Sequence, residues 1–295
     1  MSGSQLSLAT PPTIGVFDSG FGGLTVLRAL IQRLPRARFA FIGDTARLPY
    51  GSKSRRTIAR YAAQSAQFLV REQGAQYLVI ACNTASALAL DAIQDAVPVP
   101  VLGVIEPGAS AARQSSRSGD VAVIATDATV QSHAYAAACQ AHGLRALEKA
   151  CPLLVPLVEE GWTDHKVSAE IIRIYLDELK AEAAAQGLKP DTLVLGCTHY
   201  PLLRTLIEQA VAPSGIEVID SAESTAEAAV HLINGDAGAV GSAVGAFASG
   251  ASVEEPANGT EIHCFATDSV EKFERLGSRF LGRAVGSVGL VDLGG

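Results

Sequence analysis

Two stretches decide the fold: YLVIACNTAS at residues 77–86 and TLVLGCTHYP at residues 192–201. In each stretch a short, mostly apolar run ends directly before a cysteine, Cys82 in the first and Cys197 in the second. A helical segment follows both. Apolar runs that alternate with helical segments predict parallel sheets covered by helices on both faces. Both cysteines are therefore expected at the carboxyl edge of a sheet, where open α/β folds bind ligands.

The same alternation extends along the rest of the chain. It predicts strands at residues 14–17, 39–42, 77–81, 99–104, 121–125, 192–195, 218–219 and 262–266. It predicts helices at residues 24–34, 57–73, from the end of the 77–81 strand to 91, and at 130–141, 168–186, 202–210, 224–233 and 268–281. The Gly/Ala/Ser-rich residues 237–253 are interpreted as a flexible connection.

The two halves of this pattern have related spacing. Cys82 follows Asp18 by 64 positions (82 − 18), and Cys197 follows Thr126 by 71 positions (197 − 126). This favours an internal duplication of one α/β unit, although similar spacing also arises by chance. The predicted fold class is α/β, with two similar parallel-sheet domains and the active site in the cleft between them. Residues 1–105 plus 221–295 would form the first domain, and residues 106–220 the second.

The composition is that of a globular protein. The chain has 295 residues, of which 48% are hydrophobic and 18% charged, enough for two domain cores. Its net charge of −7 argues against a broad nucleic-acid surface. We expect no signal peptide and no membrane span, and hence a cytoplasmic location. The odd number of cysteines, five, and the lack of CxxC predict buried reduced thiols rather than a disulfide framework.

Three strand-end motifs in the first half carry candidate chemistry. The glycines of DSGFGG (18–23) let the backbone approach a ligand, or serve only a tight turn. GDTARLPYGS (43–52) lies at the ligand-binding edge, or is an ordinary turn-rich loop. Cys82 stands at a helix start, where the macrodipole stabilises a thiolate; the alternative is a buried structural cysteine.

The second half offers a matching set. Cys197 and His199 are too close in sequence for the usual structural zinc spacing, so His199 is expected to tune Cys197 or bind a carboxylate. Glu159 can orient a histidine, or be a solvated surface residue. Thr126 and Thr129 can hydrogen-bond a carboxylate, or cap a helix.

Paired cysteines suit one kind of reaction. Inverting the α-carbon of an amino acid requires removing a proton from one face and returning a proton to the other. Two acid/base groups that flank the carbon achieve this without a cofactor. The ordinary thiol pKa of about 8.5 can be lowered locally, so one cysteine can act as thiolate and the other as thiol.

The chain resembles the glutamate racemase family. The resemblance rests on IGVFDSGFGG (14–23), the run 44–52, CNTAS (82–86), TDAT (126–129) and GCTHYPLL (196–203), in family order and over most of the chain. It implies that Cys82 is the acid/base residue for D-glutamate and Cys197 the one for L-glutamate. It assigns Asp18 and His199 as their helpers, with Glu159 beside His199.

The resemblance also implies the substrate site and the partners. Glutamate is the expected small-molecule partner, D-glutamate for peptidoglycan the expected product, and neither pyridoxal phosphate nor a metal is expected. No membrane or nucleic-acid partner is expected, and a homodimer is left open. The substrate-binding residues it implies are Asp18, Ser19, Pro49, Tyr50, Gly51, Ser52, Asn83, Thr84, Thr126, Thr129, Thr198 and His199.

Alternatives come from the same family and from other classes. An aspartate racemase is the nearest one, although the PYGS loop and CTHYP favour glutamate; a decarboxylase relative would need only one cysteine. A thiol hydrolase would use Cys197 with His199 and form an acyl-enzyme. A two-domain module that binds an amino acid without chemistry would not need paired thiols.

Overall fold

The computed structural model describes residues 11–235 and 260–294, and it contains two parallel β-sheets with helices packed on them. The predicted fold class is confirmed; residues 237–253 lie outside the described residues. The strands are β1 (Thr13–Asp18), β2 (Arg38–Gly43), β3 (Tyr77–Ile80), β4 (Val101–Gly103), β5 (Asp120–Ala125), β6 (Arg145–Ala150), β7 (Thr192–Gly196), β8 (Glu217–Asp220), β9 (Ile262–Ala266) and β10 (Val288–Leu290).

Twelve α-helices are found in the described part of the chain. They are α1 (Leu24–Arg33), α2 (Arg55–Arg71), α3 (Asn83–Leu88), α4 (Leu90–Ala96), α5 (Ile105–Ser115), α6 (Asp127–Ser132), α7 (Ala134–Ala141), α8 (Leu154–Glu159), α9 (Lys166–Ala185), α10 (Arg204–Val211), α11 (Ser221–Ile233) and α12 (Val270–Leu281). None of the helices described has the length and apolar character needed to cross a membrane.

The two sheets share one strand order. The first runs β10-β9-β2-β1-β3-β4 and the second β6-β5-β7-β8, so the set β2-β1-β3-β4 matches the second sheet strand for strand. β9 pairs in parallel with β2, which returns the last part of the chain to the first sheet. Asp18 and Thr126 therefore stand at equivalent strand ends, as do Cys82 and Cys197. The domain limits and the origin of this likeness by duplication stay predictions.

The central strands form the cores of the two sheets. All six residues of β5 are buried, as are the last five of β1. Near-continuous apolar runs are expected where helices cover both faces of a sheet. Each fully buried Val or Ile side chain contributes roughly 1.5–3 kcal/mol. The strand ends that carry the candidate residues are thus held on a rigid base.

The structure contains elements that the sequence pattern did not predict: β6, β10, α5 and α8. β6 (RALEKA) lacks β-branched residues and lies at an edge of the second sheet. Its charges are paired, because Arg145 contacts Asp120 and Lys149 contacts Glu182. Edge position and ion pairing allow a strand whose sequence has no apolar alternation.

Two predicted helices are interrupted. The helix predicted at 130–141 begins earlier and breaks at His133, whose φ of 54° is left-handed and separates α6 from α7. The helix after Cys82 breaks at Ala89, between α3 and α4. The short helices α3 and α6 therefore begin directly after β3 and β5. Their first turns, with the free N–H groups, lie at the carboxyl edges of the two sheets.

Candidate active site

Cys82 lies in the turn between β3 and α3. Its Sγ accepts a hydrogen bond from the Ala85 N–H at 3.4 Å and donates one to Ser19 Oγ at 3.4 Å. The residue is 5% exposed. Burial raises the pKa of the Cys82 thiol to about 12, and the nearby Asp18 charge adds to this.

The helix start does lower the pKa of Cys82 through the Ala85 N–H, but burial has the larger and opposite effect. Cys82 does cap α3, but this helix has only six residues, and its N–H donation is outweighed by desolvation of the buried thiolate. In this arrangement Cys82 is held as the neutral thiol.

Asp18 ends β1, next to β3 in the sheet. Its Oδ2 accepts the Gly20 N–H at 2.9 Å, whereas the buried Oδ1 has no hydrogen-bond partner among the described residues. Burial raises the pKa of Asp18, against the opposing charge of His199 and the Gly20 N–H. The carboxyl group therefore has one oxygen without a described partner and holds a proton more readily than an exposed aspartate.

Cys197 follows β7 in the equivalent turn of the second sheet. The residue is 6% exposed, and its Sγ lies 4.0 Å from His199 Nδ1. Thr198 Oγ1 lies 3.5 Å from the same nitrogen. On the other side of the ring, Nε2 is 3.4 Å from Glu159 Oε1, an ion-pair distance without hydrogen-bond geometry. Glu159 is the last residue of α8.

This group favours an imidazolium. Burial disfavours the charged ring, but contacts with Cys197 and Glu159 and the charge of Asp18 outweigh it and raise the pKa of His199 to about 10. Burial likewise opposes ionisation of Glu159, yet His199 and Lys272 lower its pKa. A protonated His199 is the kind of neighbour that supports a thiolate, so the surroundings of the two thiols differ.

Three threonine hydroxyls join the two sheets at this edge. Thr84 Oγ1 lies 3.0 Å from Thr126 Oγ1 and 3.1 Å from Thr129 Oγ1, and the last two are 2.9 Å apart. Gly51 packs against Thr126, because a Cβ at Gly51 would lie 3.5 Å from Thr126 Cβ. Hydroxyls that converge at two helix starts can donate to a carboxylate.

The loop at residues 43–52 has both buried and exposed side chains. Tyr50 is buried and donates from its hydroxyl to Asp44 Oδ2 at 2.6 Å. Pro49 and Ser52 are exposed, and Ser52 Oγ lies 3.4 Å from the Pro49 carbonyl oxygen. The structure therefore brings Tyr50 and Gly51 inward but leaves the Pro49 and Ser52 side chains at the surface.

Asp44 anchors this loop, a role that the sequence analysis did not assign. Besides Tyr50, it accepts from Thr267 Oγ1 at 2.9 Å, just after β9. Burial raises the pKa of Asp44, and the hydrogen bond from Tyr50 and the charge of Arg47 oppose it. Its carboxyl therefore connects the loop to the returning C-terminal part of the chain.

The site residue Asn83 is positioned by a residue that the sequence did not indicate. Tyr135, fully buried in α7, donates to Asn83 Oδ1 at 2.7 Å, and Asn83 Nδ2 has no partner among the described residues. Nothing in the Ala-rich sequence around Tyr135 marks it, because the contact depends on how the two sheets face each other.

The DSGFGG turn touches the second thiol's surroundings directly. A Cβ on Gly22 would overlap Thr198 Oγ1 and lie 2.7 Å from His199 Nδ1, so only glycine fits. Thr25 Oγ1 also lies 3.4 Å from the Thr198 carbonyl oxygen. The turn that holds Asp18 and Ser19 is thus in van der Waals contact with the Cys197 group.

Both candidate thiols are buried. A cavity of about 720 Å³ does occur elsewhere, lined by Arg33, Arg204 and Glu223 among others, but none of the predicted site residues lines it. Within the described ranges, no cluster of three or more His, Cys, Asp or Glu side chains is arranged to hold a metal ion. All five cysteines are buried free thiols, as predicted.

Comparison with known proteins gives consistent matches. A model of the Asp/Glu/Hydantoin racemase family matches residues 14–229. The glutamate racemase of Koribacter versatilis is 54% identical over 292 residues, which cover 96% of this chain and 98% of that protein.

Solved structures agree with the sequence matches. A glutamate racemase isoform from Bacillus anthracis is 35% identical with a TM-score of 0.81, and the Francisella tularensis enzyme in complex with D-glutamate is 32% identical with a TM-score of 0.79. Each match covers 96% of this chain and 98% of the other. The aspartate racemase of Picrophilus torridus is 19% identical, covers 76% of this chain and 94% of that one, and has a TM-score of 0.53, so it shares the fold alone.

Proposed function

The chain belongs to the Asp/Glu/Hydantoin racemase family and groups with its glutamate racemases, and from this premise we propose that Cys82 and Cys197 interconvert L- and D-glutamate without a cofactor. The observation that carries the proposal is the pair of thiols at equivalent strand ends. Burial raises the pKa of the first, Cys82, and the second, Cys197, lies 4.0 Å from the buried His199.

The surroundings of the two thiols suggest how L-glutamate is converted to D-glutamate. The Cys197 thiolate takes the α-proton of L-glutamate, and the electron pair stays on the α-carbon, conjugated with the carboxyl group. The Cys82 thiol then delivers its proton to the opposite face, which gives D-glutamate. Cys197 is left as the thiol and Cys82 as the thiolate, and proton exchange with solvent resets both.

The reverse direction requires Cys82 to lose its proton first. Asp18 is the adjacent group with a free carboxylate oxygen, so it is the proposed helper for this step. His199 and Glu159 play the matching part for Cys197. A general acid–base helper of this kind contributes about 10²–10⁴-fold to rate.

The hydroxyl and amide groups near the thiols are proposed to bind the substrate. Thr84, Thr126 and Thr129 present hydroxyls, and Asn83 presents a free amide N–H, all suited to a carboxylate. Such donors would also stabilise the charge that develops when the α-proton leaves. Tyr50 acts through Asp44 to hold this side of the site in place.

The wider role completes the proposal. We assign the product to peptidoglycan synthesis and the location to the cytoplasm, since two reduced thiols persist most readily in a reducing compartment. The aspartate alternative has only a fold-level likeness behind it, and the thiol hydrolase gives no role to Cys82. Association into a homodimer stays a prediction.

The proposal is tested by the fate of the α-proton in deuterated water. Starting from L-glutamate, two separate thiols predict that new D-glutamate carries α-deuterium from the first turnover, while recovered L-glutamate keeps protium. NMR and chiral chromatography together measure this. New D-glutamate that retains a substantial fraction of the original protium would point to a single moving base instead.

Chelator and the absence of pyridoxal phosphate are part of the same experiment. Racemisation is expected to continue at an unchanged rate in both conditions. Activity that is lost on chelation and restored by a metal would overturn the cofactor-free part of the proposal.

A further inference from the structure

Helix α12 reaches the Cys197 group although its strand neighbours belong to the first sheet. Lys272, near its start, places Nζ 3.5 Å from Glu159 Oε2. Phe280, two turns later, packs edge-on against the His199 ring at 5.1 Å between centroids. Lys272 also lies over the Phe21 ring at 5.5 Å. One helix thus contacts both partners of the pair that supports Cys197.

The two oxygens of Glu159 face different cations. Oε1 is 3.4 Å from His199 Nε2, and Oε2 is 3.5 Å from Lys272 Nζ. The Glu159 side chain is 22% exposed, so without the second contact its carboxylate is free to turn toward solvent. Ionic contact with Lys272 fixes the rotation that presents Oε1 to the ring.

We propose that Lys272 is a positioning residue for the Cys197 thiol: it holds Glu159 against His199 and so fixes the ring beside Cys197 Sγ. The inference rests on the proposed function, since it assigns the effect to the L-glutamate side of that reaction. Lys272 touches neither thiol. It acts through Glu159 and His199, and it links the C-terminal part of the chain to the chemistry of the other sheet.

The charged groups around this pair come from several elements. His199 is faced by Cys197 on its own turn, Asp18 from the end of β1 and Glu159 from α8. Glu159 is faced by His199 and Lys272, and the Arg279 guanidinium packs against Gly161, two residues further on. Of the three cations on α12, Lys272, Arg275 and Arg279, only Lys272 makes an ion pair with Glu159 among the described contacts.

The decisive experiment is a double-mutant cycle with controls on the same helix. The variants are Lys272→Gln, Lys272→Arg, Glu159→Gln, the Lys272/Glu159 double change, and Arg275→Gln as a matched loss of one exposed positive charge. We expect Lys272→Gln to lower kcat for L-glutamate about twofold to fivefold, the range of a partly exposed ion pair. Arg275→Gln should leave kcat unchanged, and Lys272→Arg should restore most of it.

The cycle separates positioning from mere stability. In the Glu159→Gln background, Lys272→Gln should have no further effect on kcat, because the carboxylate that it positions is gone. The acidic limb of the pH profile of kcat for L-glutamate should move to higher pH in Lys272→Gln, because the pKa of Glu159 rises when it loses a neighbouring cation. Independent, additive effects of the two substitutions, or an equal loss in Arg275→Gln, would overturn the inference.

A readout without turnover distinguishes this inference from the proposed function. Carbon NMR titration of the Glu159 carboxyl, assigned with Glu159→Gln, should move to higher pH in Lys272→Gln. If the titration shifts but the wild-type protein does not racemise glutamate, the proposed function is contradicted and the positioning of Glu159 by Lys272 is supported. If the wild-type protein racemises glutamate but the titration does not shift, only the positioning of Glu159 by Lys272 is contradicted.

Discussion

Cys82 and Cys197 occupy the same place in two sheets of the same strand order, and their surroundings differ. Cys82 has a hydroxyl, Ser19, and a buried carboxyl, Asp18, as neighbours. Cys197 has a histidine that is itself flanked by a carboxylate. A negative neighbour disfavours a second negative charge, whereas an imidazolium favours it. The shared backbone thus sets where the thiols stand, and the adjoining side chains give each thiol a different electrostatic environment.

The difference gives the two directions of racemisation different starting conditions. In the proposed reaction L-glutamate requires a thiolate at Cys197, beside His199, and a thiol at Cys82. D-Glutamate requires the opposite assignment. Because the enantiomers have equal free energy in water, kcat/KM must be the same in both directions for every variant. Differences between the two directions therefore show in kcat, in the pH profile of kcat and in partial reactions.

The largest expected effect comes from replacing either thiol. Cys82→Ser and Cys197→Ser should each lower racemisation at least about 10²-fold and up to about 10⁴-fold, because serine is a far weaker acid–base group. Chiral chromatography of the product measures the rate from each enantiomer. As a control, Cys139→Ser changes a buried thiol that has no part in the proposed site. A thiol variant that racemises near the wild-type rate would end the two-base account.

The next largest effect is expected for Asp18→Asn, and it should be greatest in kcat for D-glutamate. Removing the proposed helper should lower kcat from D-glutamate by roughly 10²-fold, at the lower end of general acid–base effects. Kinetics with D-glutamate at saturating concentration provide the test. If kcat changes less than about threefold, Asp18 has only a structural role, since a true helper costs far more.

The contact between the DSGFGG turn and the residues beside Cys197 can be disrupted at Gly22. An alanine Cβ there would overlap Thr198 and His199, so Gly22→Ala should destabilise the protein by about 1–3 kcal/mol and lower kcat about tenfold. Gly20→Ala is the matched control, since its Cβ would meet only the flexible tip of Leu48 at 3.0 Å. Denaturant titration and kinetics should separate the two variants; equal behaviour would contradict the close approach of Gly22 to His199.

The smallest expected effect is a pH dependence of protein stability caused by His199. Its pKa of about 10 lies above the ordinary 6.5, so the folded protein holds this proton more tightly than the unfolded chain. The resulting stabilisation is complete below about pH 6.5 and is lost as pH rises through about 10. The free energy of unfolding of the wild type, relative to His199→Asn, should therefore fall between pH 6 and pH 10. A flat difference, with exposed His263→Asn as control, would contradict a buried imidazolium.

Sequence reasoning located much of this site, because strand ends of one sheet meet at one edge. That rule placed both cysteines at sheet edges, whereas the pairing of Asp18 with Cys82 came from the family resemblance. It could not find Tyr135, because its partner lies 52 positions away in the other half.

The fold shows the same limit. Buried central strands such as β5 have continuous apolar sequences and were predicted. The charged edge strand β6 has no such sequence, and it is recognised only from its backbone pairing with β5. The proton preference of Cys82 was also missed, since burial depends on packing from the whole molecule.

The most direct test of opposite-face chemistry is elimination from a 3-chloro analogue of glutamate. A single thiolate removes the α-proton, chloride leaves from the neighbouring carbon, and the product no longer depends on the second thiol. The account predicts that Cys82→Ser eliminates chloride from the L-analogue but not from the D-analogue, and that Cys197→Ser shows the reverse. If both variants lose elimination with the same enantiomer, or either retains it with both, the assignment of one thiol to each face is contradicted.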